Sequence, residues 1–223
     1  MRLSRIARAF GWVVLVGGAG YVLVWVTVSL VILAMSQAAR GAEHATARHQ
    51  GMPSAVPGVG HFSRVDDHLW RGAAPSADGY RRLAELGVRT VIDLRAERLP
   101  AAAPGEAGPT VVRLPVRDGQ APGPEQVRRF LAVVNGAAGP VFVHCGAGVG
   151  RTGSMAAAYL VHTGKADALT ATRRSLAVGP PSLEQLAFMR RLDGHRVRRP
   201  PAALVALSRV ADSPRRSLAR LRG

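Results

Sequence analysis

One glycine-rich segment, residues 144–153, constrains this chain more than any other: it reads His-Cys-Gly-Ala-Gly-Val-Gly-Arg-Thr-Gly. The run before it, residues 141–143, is β-branched and aromatic, and residues 154–160 after it are good helix formers, which predicts a loop joining a strand to a helix. The glycines allow successive backbone N–H groups to converge, and the N-terminus of the helix adds further donors. The segment therefore predicts a binding site for an anion, with phosphate as the natural ligand.

The only cysteine of the chain lies in this loop, six residues before Arg151. A single cysteine excludes an internal disulfide, and Cys145 is either a small buried hydrophobe or a reactive thiol. Backbone dipoles, a helix N-terminus and a nearby cation favour the thiolate, which is the nucleophilic form. Arg151 can fold back and bind two phosphoryl oxygens through its planar fork. The predicted substrate-binding residues are Gly146, Ala147, Gly148, Val149, Gly150 and Arg151.

The sequence around the loop alternates between strand and helix patterns. Strands are predicted at 62–65, 68–71, 88–94, 110–116 and 141–144, and helices at 76–86, 124–134, 150–162, 166–177 and after the Ser-x-x-Gln capping box at Ser182. This alternation predicts an α/β domain over residues 61–195, with a mostly parallel central sheet flanked by helices. Such sheets bind ligands at the carboxyl ends of their strands, which is where Cys145 would lie.

No charged residue occurs between Ala9 and Ala39. Residues 11–35 exceed the roughly 20 apolar residues that a helix needs to cross a bilayer, so we predict a transmembrane helix after a short basic N-terminus, residues 1–10. The expected location is the cell membrane, crossed once, with lipid as the partner of this helix. A cleaved signal sequence and a buried core helix are the alternatives.

The side of the membrane follows from a small charge difference. Three arginines precede the segment and two follow it closely, so the positive-inside rule favours an extracytoplasmic domain. A cytoplasmic domain is the alternative, since it suits a reduced thiol.

The net charge of +16 is concentrated outside the central region. Residues 196–223 carry eight arginines and one aspartate, whereas residues 61–195 carry 17 basic and 12 acidic residues. This distribution favours basic flanks near a membrane or an acidic partner, and we expect no specific nucleic acid partner. Residues 36–60 have no apolar period and are predicted to be a flexible linker, and residues 196–223 a disordered tail or a basic amphipathic helix.

The loop matches the pattern His-Cys-x-x-Gly-x-x-Arg-Thr and resembles the cysteine-dependent protein tyrosine phosphatases, in particular their dual-specificity branch. Two further segments, residues 69–76 and 86–95, resemble the N-terminal part of bacterial dual-specificity-like phosphatases. The resemblance spans about residues 62–192. It implies hydrolysis of phosphate monoesters through a phosphocysteine intermediate, with a phosphorylated protein or a small phosphate ester as substrate.

The resemblance also implies roles for individual residues. Thr152 would hydrogen-bond the thiolate through its hydroxyl, and His144 would fix the loop by bonding to backbone. The family takes its general acid from an aspartate upstream of the cysteine, where this chain has Glu106, Asp118 and Glu125 between residues 101 and 145. Glu106 lies in a Pro/Gly-rich turn and Glu125 in a helix first turn, so Asp118 is assigned as general acid. A turn cap before Gly119 is its alternative role.

Other residues have weaker claims. Asp93 beside Arg95 is interpreted as a structural ion pair or turn cap, and Gln185 could position water, although its capping box already explains it. The seven histidines show no metal-ligand spacing, so neither a metal nor a cofactor is implied. The loop holds no lysine, which disfavours highly phosphorylated inositol lipids and leaves phosphotyrosine, phosphoserine and small esters open.

Three other functions fit parts of the sequence. A phosphate-binding pseudophosphatase would keep the pocket without turnover, and rhodanese-like sulfur or arsenate chemistry uses a similar loop. A lipid- or nucleic-acid-binding protein would depend on the arginine-rich flanks.

Overall fold

The computed structural model describes residues 2–46, 55–97, 104–105, 108–194 and 196–211. The elements in chain order are α1 (Arg2–Thr46), β1 (Ser63–Arg64), β2 (Leu69–Gly72), α2 (Ala77–Glu85), β3 (Thr90–Arg95), β4 (Thr110–Val116), α3 (Pro124–Gly136), β5 (Val141–His144), α4 (Gly150–His162), α5 (Ala168–Val178), α6 (Leu183–Arg190) and α7 (Ala202–Ala211).

The five strands form one sheet in the order β1-β2-β5-β3-β4. The four strands β2, β5, β3 and β4 are parallel to one another, and the short edge strand β1 pairs with β2 in antiparallel orientation. The predicted α/β class with a mostly parallel sheet is confirmed. His144 at the end of β5 is in register with Gly72 on one side and with Asp93 on the other. The residues that follow these strands therefore meet at one edge of the sheet.

Helices cover both faces of the sheet and bury two apolar clusters. The larger cluster joins the sheet to α3, α4, α5 and α6, and the smaller joins it to α2 and the segment at Val56 and Val59. α4 lies at the centre of the larger cluster, since every residue from Arg151 to Val161 is buried. The loop that begins this helix is thus held by a rigid core.

Local sequence explains where the helices begin. The predicted capping box of α6 is present: Ser182 Oγ accepts from the Gln185 N–H at 3.2 Å, and Gln185 Oε1 accepts from the Ser182 N–H at 3.0 Å. Ser76 caps α2 in the same way by accepting from the Gly79 N–H at 3.1 Å. Both caps satisfy backbone donors that have no partner within the helix.

The prediction of a flexible linker over residues 36–60 is wrong over its described parts. α1 continues without a break to Thr46, because residues 36–46 include four alanines and the good helix formers Gln37, Arg40 and Glu43. At the other end, Val56 and Val59 are buried, since they pack in the cluster with α2. Residues 47–54 lie outside the described residues.

Residues 16–41 of α1 are long and apolar enough to cross a membrane, with a mean hydropathy of 2.1. This candidate span overlaps the predicted residues 11–35. Most side chains here are exposed, but Ile32, Ser36 and Ala39 are buried. Ser36 Oγ donates to the Leu176 carbonyl of α5 at 2.6 Å, so the C-terminal third of the span lies against the domain.

The first part of the predicted basic tail is ordered. Residues 202–211 form α7, which packs on α6 and buries Ser208 and Ala211. Residues 212–223 lie outside the described residues.

Candidate active site

The turn from β5 into α4 places Cys145 at the carboxyl edge of the sheet. We call residues 145–151 the cysteine loop. The cysteine is buried and free, whereas Gly146 and Ala147 are exposed. Gly148 has a φ of +74°, and a Cβ there would overlap the backbone of Gly72 and Ala73. Glycine is therefore required at this position, because any other residue would push the loop away from β2.

The predicted supporting residues are both buried below the loop. His144 Nδ1 lies 3.1 Å from the Cys145 carbonyl oxygen, which can only accept, so Nδ1 carries the proton. Burial lowers the pKa of His144, so the ring is held neutral. Among the described residues, the Thr152 hydroxyl has no hydrogen-bond partner. The bond expected from Thr152 to the sulfur is therefore absent in this structure, whereas the backbone contact expected of His144 is present.

Arg151 folds back over the cysteine loop, as expected from its spacing. A Cβ on Gly146 would lie 3.8 Å from Arg151 Nη2, so the guanidinium lies beside the residue that follows Cys145. Its Nη1 donates to the two Glu97 carboxylate oxygens at 3.0 and 2.8 Å and to the Val116 carbonyl at 3.2 Å. Burial alone would lower the pKa of Arg151, but the bond to Glu97 and the nearby negative charges raise it. The cation is thus fixed and stays charged.

Asp118 is the carboxylate of the predicted three that contacts this cation. Its Oδ1 lies 3.0 Å from Arg151 Nη2, and its side chain is 58% exposed, so it faces both the loop and solvent. Glu125 instead pairs with Arg128 on the surface of α3, and Glu106 lies outside the described residues. Residues 117–122, which follow β4 and carry Asp118, are called the acid loop below. The structure therefore brings Cys145, Arg151 and Asp118 together.

Glu97 is a site residue that the sequence analysis missed. It lies just beyond β3, whose carboxyl end borders that of β5, and its carboxylate forms an ion pair with Arg151 at 2.8 Å. Burial raises the pKa of Glu97, but the hydrogen bond and charge of Arg151, together with backbone hydrogen bonds, lower it below its usual value. The sequence did contain a signal for Glu97, because residues that follow neighbouring parallel strands meet at one edge of the sheet.

Arg71 is the second missed residue, and it lies behind the loop. Its buried Nη2 donates to the carbonyls of Gly148 at 2.9 Å and Val149 at 3.2 Å. Burial lowers the pKa of Arg71 to about 10, while the charge of Cys145 acts in the opposite direction. Each peptide group has its N–H opposite its C=O, so holding these carbonyls directs N–H groups away from Arg71. Arg71 thus shapes the loop and adds a buried positive charge next to it.

Asp93 and Arg95 form an ion pair, one of the two arrangements predicted for them. Arg95 donates to both Asp93 oxygens, from Nε at 3.0 Å and Nη2 at 2.9 Å. Burial raises the pKa of Asp93, but these bonds bring it below its usual value. Within the described ranges, no three His, Cys, Asp or Glu side chains are grouped to hold a metal ion.

This fold and this cysteine loop define a phosphatase of the cysteine-dependent tyrosine and dual-specificity superfamily. Residues 61–191 match the family model "DSP-PTPase phosphatase fused to NAD+ Kinase". The chain belongs to this family.

Curated relatives match the same domain of this chain and are much longer proteins. The chain is 34% identical over 132 residues to a probable chloroplastic NAD kinase 2 of Oryza sativa, covering 55% of this chain and 14% of that protein. It is 38% identical over 77 residues to tyrosine-protein phosphatase cdc-14 of Caenorhabditis elegans, covering 34% and 11%. The chain thus spans a small part of the curated relatives that it matches.

A solved structure supports the fold. The catalytic domain of the PP-IP phosphatase SIW14 from S. cerevisiae superposes with a TM-score of 0.53 at 19% identity, covering 64% of this chain and 91% of that one.

Proposed function

We propose that this chain is a membrane-anchored phosphatase that hydrolyses phosphate monoesters through a phosphocysteine intermediate. The observation that carries the proposal is the meeting of three groups: the Cys145 thiol at the base of the loop, the Arg151 guanidinium beside it, and Asp118 at 3.0 Å from that guanidinium. A nucleophile, a cation for the phosphoryl oxygens and an acid are the groups that this reaction needs.

The first step transfers the phosphoryl group to sulfur. The Cys145 thiolate attacks phosphorus, so a P–S bond forms while the bond from phosphorus to the ester oxygen breaks. Protonated Asp118 donates its proton to the departing oxygen, which leaves as a neutral alcohol or phenol. Arg151 exchanges its contact with Asp118 for the phosphoryl oxygens, and its bonds to Glu97 keep the guanidinium in place.

The second step restores the enzyme. Asp118, now a carboxylate, takes a proton from water, and the oxygen of that water attacks phosphorus. The P–S bond breaks, so the products are inorganic phosphate and the Cys145 thiolate. Backbone N–H groups of residues 146–150 and Arg151 stabilise the transferring group in both steps.

The proposed substrates are phosphotyrosine first, with phosphoserine and phosphothreonine as further substrates. The identity to a tyrosine-protein phosphatase supports this choice. The cysteine loop carries one charged side chain, that of Arg151, which suits a single phosphate group better than a polyphosphate. A phosphoinositide or a small phosphate ester is the competing substrate class.

Attachment to the membrane is proposed through α1. The exposed apolar side chains of residues 16–31, together with the apolar sequence before them, supply enough length to cross a bilayer. The arginine balance favours an extracytoplasmic domain. A C-terminal alkaline phosphatase fusion in intact bacterial cells tests the side: activity supports the outside orientation, and its absence, with the fusion present in the membrane, supports the cytoplasmic one.

Substrate profiling of the detergent-purified full chain tests the proposed activity. We expect metal-independent, vanadate-sensitive release of phosphate from a phosphotyrosine peptide, with loss of turnover in Cys145→Ser. A chain that binds the peptide and releases no phosphate is a pseudophosphatase and would refute the proposal. Faster turnover of phosphoinositide vesicles than of peptides would replace the proposed substrate class.

A further inference from the structure

Glu184 is a buried carboxylate that the proposed reaction does not use. It lies in the first turn of α6, and its side chain is only 6% exposed. Its Oε1 accepts from the Ala121 N–H at 3.1 Å, and its Oε2 lies 3.4 Å from Arg209 Nε. A buried carboxylate is costly unless it is paired, so these two partners account for its presence. One partner belongs to the acid loop and the other to α7.

The three residues from Gly119 to Ala121 are all tied to the first turn of α6. The Gly119 carbonyl accepts from Ser182 Oγ at 2.6 Å, and the Gln120 carbonyl accepts from Gln185 Nε2 at 3.1 Å. The bond from Ala121 to Glu184 is the third. Ser182 and Gln185 also form the capping box of their helix, whereas the Glu184 side chain makes no capping bond in the described structure. Of the three side chains that hold the acid loop, that of Glu184 can therefore be replaced with the least damage to α6.

The acid loop needs such a tether because one side of it is open. A cleft of about 660 Å³ lies between the loop and α7, lined by Gln120, Pro122, Arg199, Val205 and Glu184 among others. A loop beside open space can swing away from the site unless bonds hold it. The bond from Glu184 to Ala121 comes three residues after Asp118, so it limits where that carboxylate can lie.

α7 in turn holds Glu184. The Glu184 N–H donates to Ser208 Oγ at 3.0 Å, Ser208 is 1% exposed, and Arg209 supplies the ion pair. Contacts therefore run from α7 through Glu184 to the acid loop.

We propose that Glu184 is a positioning residue that holds Asp118 in reach of the leaving oxygen, and that α7 is part of this device. This rests on the proposed function, since it assigns Asp118 the role of general acid. The proposal gives α7, which follows the residues matched by the family model, a role in catalysis. α7 holds Glu184 in place, and Glu184 holds the acid loop.

Leaving-group dependence separates this role from a merely structural one. The acid matters little when the leaving phenol is acidic, as with 4-nitrophenyl phosphate, and much when it is weakly acidic, as with phenyl phosphate. The readout is the ratio of kcat/KM for these two substrates, measured on the full chain in detergent. kcat/KM covers the steps up to release of the phenol, where the acid acts.

Glu184→Ala should lower kcat/KM for phenyl phosphate about tenfold more than for 4-nitrophenyl phosphate, less than the 10²–10⁴ that complete loss of a general acid costs. Glu184→Gln keeps an oxygen acceptor for the Ala121 N–H and should recover most of the ratio. In an Asp118→Asn background, Glu184→Ala should change the ratio no further. Glu125→Ala removes a surface carboxylate of α3 and is the matched control, with an unchanged ratio.

The proposal is overturned if Glu184→Ala slows both substrates by the same factor, leaves both rates unchanged, or shifts the ratio further in the Asp118→Asn background. If circular dichroism shows that Glu184→Ala does not fold, Arg209→Gln decides, because Arg209 is half exposed and its replacement removes the ion pair with Glu184. A smaller shift in the same direction supports the proposal, and no shift overturns it. Absence of hydrolysis in the unmodified chain would instead refute the proposed function.

Discussion

Replacing Arg71 by methionine removes the cation behind the cysteine loop while keeping a side chain of similar length. The Gly148 and Val149 carbonyls lose their bonds from Nη2, and a hydrogen bond from a charged donor contributes about 1.5–3 kcal/mol. The cost of burying the guanidinium disappears as well, which offsets part of this loss. We expect a net loss of about 1–3 kcal/mol in the free energy of unfolding, or a Tm lower by roughly 3–10 °C.

The same change acts on the thiol. Arg71 is a buried cation behind the loop that carries Cys145, and the charges of the two groups interact. Opposite unit charges roughly 8–16 Å apart at an effective dielectric constant of about 20 attract by about 1–2 kcal/mol. Without the Arg71 charge, iodoacetamide should therefore alkylate Cys145 roughly 5- to 30-fold more slowly at neutral pH in Arg71→Met. The cysteine is the only one in the chain, so labelling is unambiguous.

Arg64→Met is the matched control. Arg64 stacks on Trp70, with its guanidinium carbon 4.6 Å from the ring centroid, and makes a surface ion pair with Asp67. Its loss should lower Tm slightly and leave the alkylation rate unchanged. A folded Arg71→Met protein that is alkylated as fast as the unmodified chain would refute the role given to this cation.

Three further changes test the site. Glu97→Gln should lower kcat/KM about three- to tenfold, mainly by raising KM, because the guanidinium that binds the phosphoryl group loses an ionic partner; an unchanged KM would contradict this. Burial lowers the pKa of His144 below its ordinary 6.5, so the folded protein resists protonation of this ring and loses stability as pH falls through that value. His144→Asn should therefore flatten the dependence of Tm on pH between about 5 and 7.5. A dependence as steep as that of the unmodified chain would contradict this prediction. Gly148→Ala should cost on the order of a hundredfold in kcat by displacing the loop, whereas Gly164→Ala, at a φ of +69° with open space around it, should keep activity.

The strand and helix pattern of the domain was predictable because its signals are local. β4 and β5 have the predicted limits, and α4 begins and ends where its glycine-rich start and its helix formers indicate. The capping box at Ser182 was visible as a four-residue motif. The positions of Cys145 and Arg151 follow from the same short segment, since their spacing within one loop determines their distance.

Contacts between distant segments were not predictable from such signals. Glu97 and Arg71 reach the cysteine loop from β3 and β2, and only the strand order brings them there. The partners of Glu184 lie on the acid loop and on α7, and the amphipathic helix offered for residues 196–223 did not indicate which segment it would contact. The bond expected from Thr152 to the sulfur is not found among the described residues, and the sequence does not determine the orientation of that side chain.

Trapping the covalent intermediate tests the central claim most directly. The full chain is mixed with a phosphotyrosine peptide, quenched in acid within the first turnover, digested and analysed by mass spectrometry. We predict phosphate on the peptide that contains Cys145, and neither this adduct nor phosphate release in Cys145→Ser. Sustained hydrolysis by the serine variant, or phosphate on any other residue during turnover, would contradict the account.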